Sequence, residues 1–112
     1  MRVAALDLGS NTFLCLIAEV ESSGIGKVID DQVRMVRLGQ DVAKTGRFHP
    51  EALQRAELAL SDFSKIIETH RPERILAMAT SAARDAENKE ELFALGEKYG
   101  IPIEIIPGGR EA

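Results

Sequence analysis

Residues 3–18 carry the sequence VAALDLGSNTFLCLIA, around which the rest of the chain is organised. Two nearly continuous apolar runs flank a polar stretch at residues 7–12. Apolar runs of this length, with β-branched and aromatic members, indicate strands that are buried on both faces of a sheet. Gly9, Ser10 and Asn11 are typical turn residues, so the two runs are predicted to form a hairpin in the middle of a sheet.

The predicted turn has side chains and backbone groups that suit a phosphate. Gly9 lets a ligand approach the backbone closely, and exposed N–H groups next to the Ser10 hydroxyl and Asn11 are suited to phosphate oxygens. Asp7 cannot bind a phosphate directly because both are anions, so it is expected to hold a divalent cation through a water molecule. The alternative is that these residues only form a good turn, and the spacing alone leaves both interpretations open.

Composition limits the class of protein. The 112 residues include 45% apolar residues, which is enough for one domain with a substantial core. A net charge of −4 argues against a general nucleic-acid-binding protein. The sequence shows no apolar segment of membrane-spanning length and no signal-peptide pattern, so a soluble cytoplasmic protein without a membrane partner is expected. The single cysteine, Cys15, is expected to be a small buried apolar residue.

The first half of the chain predicts three strands followed by a helix. The strands are expected at about residues 2–7, 12–20 and 27–38, joined as an antiparallel meander, and residues 39–49 are expected to form a loop. Pro50 is suited to the first turn of a helix. Spacings of three and four residues give that helix one apolar stripe, which consists of Leu53, Ala56, Leu60, Phe63 and Ile67.

The second half predicts a strand, a helix and a last strand. The apolar run at residues 74–79 forms the strand. Asn88 and Glu91 have the spacing of a capping box, so a helix is predicted from Lys89, and Gly100 is predicted to end it. A short strand follows at residues 102–106. The order β-β-β-α-β-α-β predicts an α/β fold with a mixed five-stranded sheet and helices packed on it.

Three polar segments are predicted to meet at one edge of this sheet. Helical crossovers imply parallel pairing of the later strands, and ligands of open sheets bind outside the carboxyl ends of the strands. The strands that end at Asp7, Thr80 and Gly108 would then place their following residues along one rim.

Several motifs resemble the exopolyphosphatase and guanosine pentaphosphate phosphohydrolase family of the actin-like ATPase superfamily. They are Asp-Leu-Gly-Ser-Asn-Thr at 7–12, Val-Arg-Leu-Gly at 36–39, Thr-Gly-Arg at 45–47, Ala-Thr-Ser-Ala-Ala-Arg-Asp-Ala at 79–86 and Gly-x-x-Glu-Ala at 108–112. The resemblance covers essentially the whole chain, and the string at 79–86 is its most specific part. It implies a ribonuclease-H-like fold and a single domain, residues 1–112, which forms the N-terminal portion of the first lobe of a longer two-lobed phosphatase. A fragment of this kind is expected to be inactive alone, because the second glycine-rich phosphate loop and the second lobe, and with them half of the phosphate and metal ligands, are missing.

The resemblance also implies roles for individual residues. Glu111 would be the general base that activates a water molecule, which is what phosphoanhydride hydrolysis requires. Arg84 would grip a substrate phosphate, and Thr80 and Ser81 would donate hydrogen bonds to it. The metal held by Asp7 would be Mg²⁺, which suits hard oxygen ligands and phosphates.

Departures from the family pattern leave the substrate open. Leu14 stands where a cationic residue is common, Pro107 replaces a usual serine, and Arg110 replaces a common acidic residue. The substrate is therefore expected to be polyphosphate, guanosine pentaphosphate or both. Two alternatives remain: one lobe of an actin-like kinase, and a polyphosphate-binding or self-associating module without catalysis. In the latter case, the surface that meets the second lobe would favour a homodimer.

Overall fold

The computed structural model describes residues 1–79, 83 and 86–105. This part of the chain contains a mixed five-stranded sheet in the order β3-β2-β1-β4-β5. The strands are β1 (Arg2–Leu8), β2 (Thr12–Glu21), β3 (Gly24–Met35), β4 (Arg74–Ala79) and β5 (Ile103–Ile105). The helices are α1 (Val42–Thr45), α2 (Pro50–His70) and α3 (Lys89–Lys98). The predicted α/β class, the mixed sheet and the order of its main elements are confirmed.

The first three strands pair antiparallel and the later ones pair parallel, as the sequence predicts. β1 pairs antiparallel with β2 and parallel with β4, and β4 pairs parallel with β5. β1 is therefore a central strand, and its carboxyl end lies beside that of β4.

One face of the sheet, called here the covered face, packs against α2. On this face Leu6 of β1 pairs with Cys15 of β2, and Leu8 pairs with Phe13. All four side chains are buried, together with Phe63 of α2. The predicted apolar stripe of α2 is confirmed at its centre, where Ala56, Leu60 and Phe63 are fully buried. Burial of each large apolar side chain contributes about 1.5–3 kcal/mol, so this layer is the main source of stability.

The opposite face, called here the open face, corrects the prediction that the first two strands are buried on both sides. Ala5 of β1 lies between Leu16 of β2 and Leu76 of β4 on this face. Leu76 is 42% exposed, and Val33 and Met35 on β3 are 53% and 64% exposed. An apolar run shows that both faces of a strand carry apolar side chains. It does not show whether another part of the chain covers each face.

β3 begins and ends three residues earlier than predicted. It ends earlier because the backbone turns away after Met35. The N–H groups of Val36 and Arg37 both donate to the carbonyl oxygen of Asn11, at 3.0 and 2.8 Å. Arg37 has a φ of 49°, which is incompatible with an extended strand. Val36 and Leu38 are fully buried although they belong to a loop. Their apolar side chains therefore extended the sequence pattern of a strand past its true end.

Two further details differ from the sequence-based expectations. The predicted loop at 39–49 contains the short helix α1. α3 begins at Lys89 as predicted, but Asn88 makes no side-chain hydrogen bond to the helix N-terminus. Instead, its Oδ1 accepts from the N–H of Phe48 at 2.8 Å, and its Nδ2 donates to Glu91. Asn88 therefore ties the segment before α2 to the start of α3.

Candidate phosphate site at the end of strand β1

The predicted hairpin turn is present and tightly closed. The N–H of Gly9 donates to the carbonyl oxygen of Thr12 at 3.0 Å. A Cβ atom on Gly9 would lie 3.1 Å from the same oxygen, closer than most Cβ contacts, so a glycine suits this close approach of backbone to backbone. Ser10 and Asn11 are exposed at the tip of the turn. The turn thus offers a hydroxyl and an amide to a ligand.

Asp7 lies at the carboxyl end of β1 with its side chain exposed. It pairs with Leu14 of β2 and Met78 of β4, so it belongs to the open face. The carboxylate therefore stands next to apolar side chains at the edge of the sheet, two residues before the glycine turn. An exposed carboxylate with a nearby hydroxyl fits the hard oxygen ligands that Mg²⁺ prefers. Within the described ranges, no three histidine, cysteine, aspartate or glutamate residues cluster as a metal site.

The backbone forms the predicted rim. Leu8 lies beside Ala79 of β4, and Ala79 lies beside Ile105 of β5. The three parallel strands therefore end at the same edge of the sheet, next to the glycine turn. Thr80, Ser81, Arg84 and Glu111 lie outside the described residues. Their predicted convergence with Asp7 stays a prediction.

A second loop, formed by residues 36–41, is attached to the glycine turn. Besides the two bonds to Asn11, the N–H of Gly39 donates to the carbonyl oxygen of Ser10 at 2.9 Å. Arg55 of α2 holds the loop from the other side, because its Nε donates to the carbonyl oxygen of Val36 at 2.6 Å. The turn and the loop line a surface pocket of about 440 Å³. The sequence offered Arg37 of this loop as a basic residue near a polyanion but favoured a solvent-exposed position for it, and its side chain is exposed.

Among the described residues, the clearest pKa shifts lie away from this rim. Burial raises the pKa of the Cys15 thiol to about 11, so this thiol stays protonated and inert, as expected of a core residue. Hydrogen bonds from Lys98 and then from Tyr99 lower the pKa of Glu57. The Glu57 carboxylate accepts from Lys98 Nζ at 2.6 Å and from the Tyr99 hydroxyl at 2.8 Å. This cluster joins α2 to the end of α3 and supports the fold rather than the rim.

The sheet order, the helix layer and the turn after β1 define a ribonuclease-H-like domain of the actin-like type. The family model of the Ppx/GppA phosphatase family matches residues 16–112. The chain belongs to the Ppx/GppA phosphatase family.

Individual relatives agree with this assignment. Exopolyphosphatase 2 of Mycobacterium tuberculosis is 41% identical over 120 residues, which cover 99% of this chain and 38% of that protein. A crystal structure of an exopolyphosphatase from Cytophaga hutchinsonii matches with a TM-score of 0.90 and 30% identity, over 99% of this chain and 36% of that one. The Aquifex aeolicus member of the Ppx/GppA family matches with a TM-score of 0.86 and 32% identity, over 95% of this chain and 35% of that one.

The chain spans less than two fifths of the length of the relatives just named. In the part of the chain that the structure describes, no helix combines the length and the apolar character that crossing a membrane requires.

Proposed function

We propose that this chain is the N-terminal portion of the first lobe of a phosphoanhydride hydrolase, which releases terminal phosphate from polyphosphate, guanosine pentaphosphate or both. The observation that carries the proposal is the exposed Asp7 carboxylate followed by the tight Gly9 turn at the rim where β1, β4 and β5 end. Membership of the Ppx/GppA family and the exopolyphosphatase relatives support this choice over other phosphate-binding lobes.

In the proposed reaction, Ser10 and Asn11 donate hydrogen bonds to phosphate oxygens of the substrate. Asp7 would hold a Mg²⁺ ion through a water molecule, and that ion would neutralise charge on the phosphates. Glu111 removes a proton from the attacking water, and the departing phosphate chain leaves as an anion. Arg84, Thr80 and Ser81 hold the phosphate that is transferred. The roles of Glu111, Arg84, Thr80 and Ser81 rest on the family pattern in the sequence.

Phosphate release from long-chain polyphosphate tests the proposal. The complete gene product, assayed with Mg²⁺, is expected to release phosphate, whereas the 112-residue chain, which spans less than two fifths of the length of its relatives, is expected to show negligible release. Circular dichroism on the 112-residue chain checks that it is folded. Robust Mg²⁺-dependent release by the 112-residue chain would overturn the assignment as part of a lobe, and an inactive gene product would overturn the hydrolase.

Arg84 has a more specific role to test. Replacement of Arg84 by alanine in the complete gene product is expected to raise KM for long polyphosphate, because a guanidinium can bind two phosphate oxygens at once. The matched control is Arg47→Ala, since Arg47 is an exposed arginine that pairs with Glu87 at 3.7 Å. If KM of the Arg84 variant equals that of the wild type, Arg84 does not bind the substrate phosphate.

A second candidate function is a polyphosphate-binding or self-associating module without catalysis. The exposed apolar side chains of the open face are the observation that favours it. A gene product that binds polyphosphate without hydrolysing it would select this alternative.

A further inference from the structure

We propose that the loop at residues 36–41 is a second phosphate subsite, in which Arg37 binds a phosphate group of an extended polyanion next to the group held at the Gly9 turn. The inference rests on the proposed function, because it assigns a further part of the same substrate to a further part of the same rim. The pocket concerned is lined by Ser10, Asn11, Arg37, Gly39, Gln40 and Asp41.

The backbone carbonyl oxygens around this pocket are almost all occupied. Ser10 O and Asn11 O accept from N–H groups of the loop, and Gly39 O accepts from the N–H of Val42. Arg37 O accepts from the N–H of Gln40 at 3.1 Å and from Arg55 at 3.4 Å. Since these acceptors already have donors, the pocket presents few free lone pairs that would repel an anion.

The donors of the pocket remain available. The Gln40 Oε1 atom accepts from Arg55 Nη2 at 2.5 Å, which leaves the Gln40 amide NH₂ group as a donor. The Ser10 hydroxyl, the Asn11 amide and the Arg37 guanidinium are further donors on exposed side chains. Within the described ranges the Arg37 guanidinium has no hydrogen-bond acceptor or ion-pair partner. Satisfied carbonyls combined with free donors and one guanidinium favour phosphate oxygens.

The backbone of the loop places Arg37 in this position at a conformational cost. Arg37 adopts a φ of 49°, which is unfavourable for a residue with a Cβ atom and would suit glycine or asparagine. Arg55 and Asn11 hold the backbone of residues 36 and 37 from both sides. A strained arginine that the surrounding structure holds next to a candidate site is consistent with selection for its guanidinium.

Among the residues that the structure describes, Asp41 is the one carboxylate that lines the pocket. Its carboxylate repels an anion, so replacing Asp41 is expected to raise the affinity for the polyanion, whereas replacing Arg37 is expected to lower it. This opposition gives the proposal an internal control within one loop.

The experiment is a titration of the 112-residue chain with sodium tripolyphosphate, without divalent metal, followed by backbone amide NMR. The amide signals of residues 10, 11 and 37–40 are expected to shift together. Arg37→Gly, which relieves the backbone strain while it removes the guanidinium, is expected to lower the affinity about tenfold. Asp41→Asn is expected to raise the affinity several-fold, and Arg47→Gln, which removes the same charge elsewhere, is expected to leave it unchanged.

The outcomes separate this inference from the proposed function. If Arg37→Gly binds tripolyphosphate like the wild type, or if the wild-type signals of residues 37–40 do not move, the subsite is overturned whether or not the complete gene product hydrolyses polyphosphate. If the gene product is inactive while Arg37→Gly and Asp41→Asn shift the affinity in opposite directions, the hydrolase is overturned and a polyanion site stands.

Discussion

Gly9 brings two backbone segments together at the end of β1. Its N–H bonds to Thr12, and a Cβ atom at this position would lie 3.1 Å from the Thr12 carbonyl oxygen. The turn can accept such an atom only if the backbone yields by a few tenths of an ångström. The geometry of one residue thus limits how closely the backbone at residues 9 and 12 can approach.

Replacement of Gly9 by alanine is expected to lower the free energy of unfolding by about 1 kcal/mol, because the turn must open to accept the Cβ atom. Urea denaturation of the 112-residue chain measures this change. Ser10→Ala is the control in the same turn, and it is expected to stay within about 0.5 kcal/mol of the wild type because Ser10 is exposed. If Gly9→Ala is as stable as the wild type, the turn is not as tightly closed as described.

Glu57 predicts a pH dependence of stability. Hydrogen bonds from Lys98 and Tyr99 hold its pKa below the ordinary value of 4.5 in the folded state. The folded state is therefore stabilised above pH 4.5, and this stabilisation is lost as the pH falls through the lowered pKa. The difference in thermal midpoint between the wild type and Glu57→Gln is expected to be largest near pH 6 and to shrink below pH 4.5.

The control for this measurement is Glu68→Gln, which removes an exposed glutamate from the same helix. Its thermal midpoint at pH 6 is expected to lie close to that of the wild type. A Glu57→Gln difference that stays constant from pH 6 to pH 3 would contradict the assigned hydrogen bonds.

At the scale of elements, α3 and β5 are packed closely through Gly96. A Cβ atom on Gly96 would lie 2.5 Å from the carbonyl oxygen of Ile101 and 2.6 Å from Cδ1 of Ile103. The glycine therefore allows the chain to return from α3 directly into the edge strand of the sheet. The N–H of Ile101 donates to the carbonyl oxygen of Gly96 at 2.8 Å, which fixes the same approach.

Two effects oppose each other in Gly96→Ala. Alanine favours the helix by about 1 kcal/mol over glycine, whereas the clash with backbone costs about 1–3 kcal/mol or more. We expect the clash to dominate, because the Ile101 carbonyl group cannot move without displacing the backbone that leads into β5. The free energy of unfolding in urea is then expected to fall by about 2 kcal/mol. Glu97→Ala on the exposed side of α3 is the control, and equal stability of the Gly96 variant would refute the close packing.

The sequence predicted most elements because local patterns determined them. The three- and four-residue spacing located α2, and the turn residues after Asp7 located the hairpin. The end of β3 was not predictable, because it depends on bonds from Val36 and Arg37 to Asn11, more than twenty residues earlier. The role of Asn88 also depends on a distant partner. The local sequence indicated a helix cap, whereas its Oδ1 accepts from the N–H of Phe48, forty residues away.

The candidate site was predicted in part. Asp7 and the glycine turn lie where the motif indicated, at the shared end of three parallel strands. Arg37 was considered near the polyanion but was not counted in the site, since nothing local shows that the carbonyl groups of its loop would be occupied by Arg55 and by the loop's own turn. The predicted roles of Arg84 and Glu111 remain predictions.

At the scale of the whole molecule, the sheet is covered on one face and open on the other. Leu14 and Leu16 of β2 and Ala5 of β1 continue the apolar open face between the exposed Val33 of β3 and Leu76 of β4. An apolar surface of this kind on an isolated chain favours association. The relatives, which are more than twice as long, have further chain that could cover the corresponding face.

The 112-residue chain is therefore expected to self-associate as its concentration rises. Sedimentation velocity is expected to show dimers or larger species that Val33→Lys shifts toward the monomer, because a charge would have to be buried in the contact. The control is Leu58→Lys, since Leu58 is a 69% exposed leucine on α2, away from the open face. A wild-type chain that stays monomeric at high concentration would contradict the expectation.

The central claim is that the residues after β1 form the metal and phosphate site of a hydrolase. The most direct measurement is Mg²⁺-dependent phosphate release from long polyphosphate by the complete gene product with Asp7→Asn, compared with Asp31→Asn, which removes an exposed carboxylate from the same face of the sheet. Asp7→Asn is expected to lower kcat by about a hundredfold or more, while Asp31→Asn is expected to retain wild-type activity. Wild-type activity in Asp7→Asn, with an unchanged requirement for Mg²⁺, would contradict it.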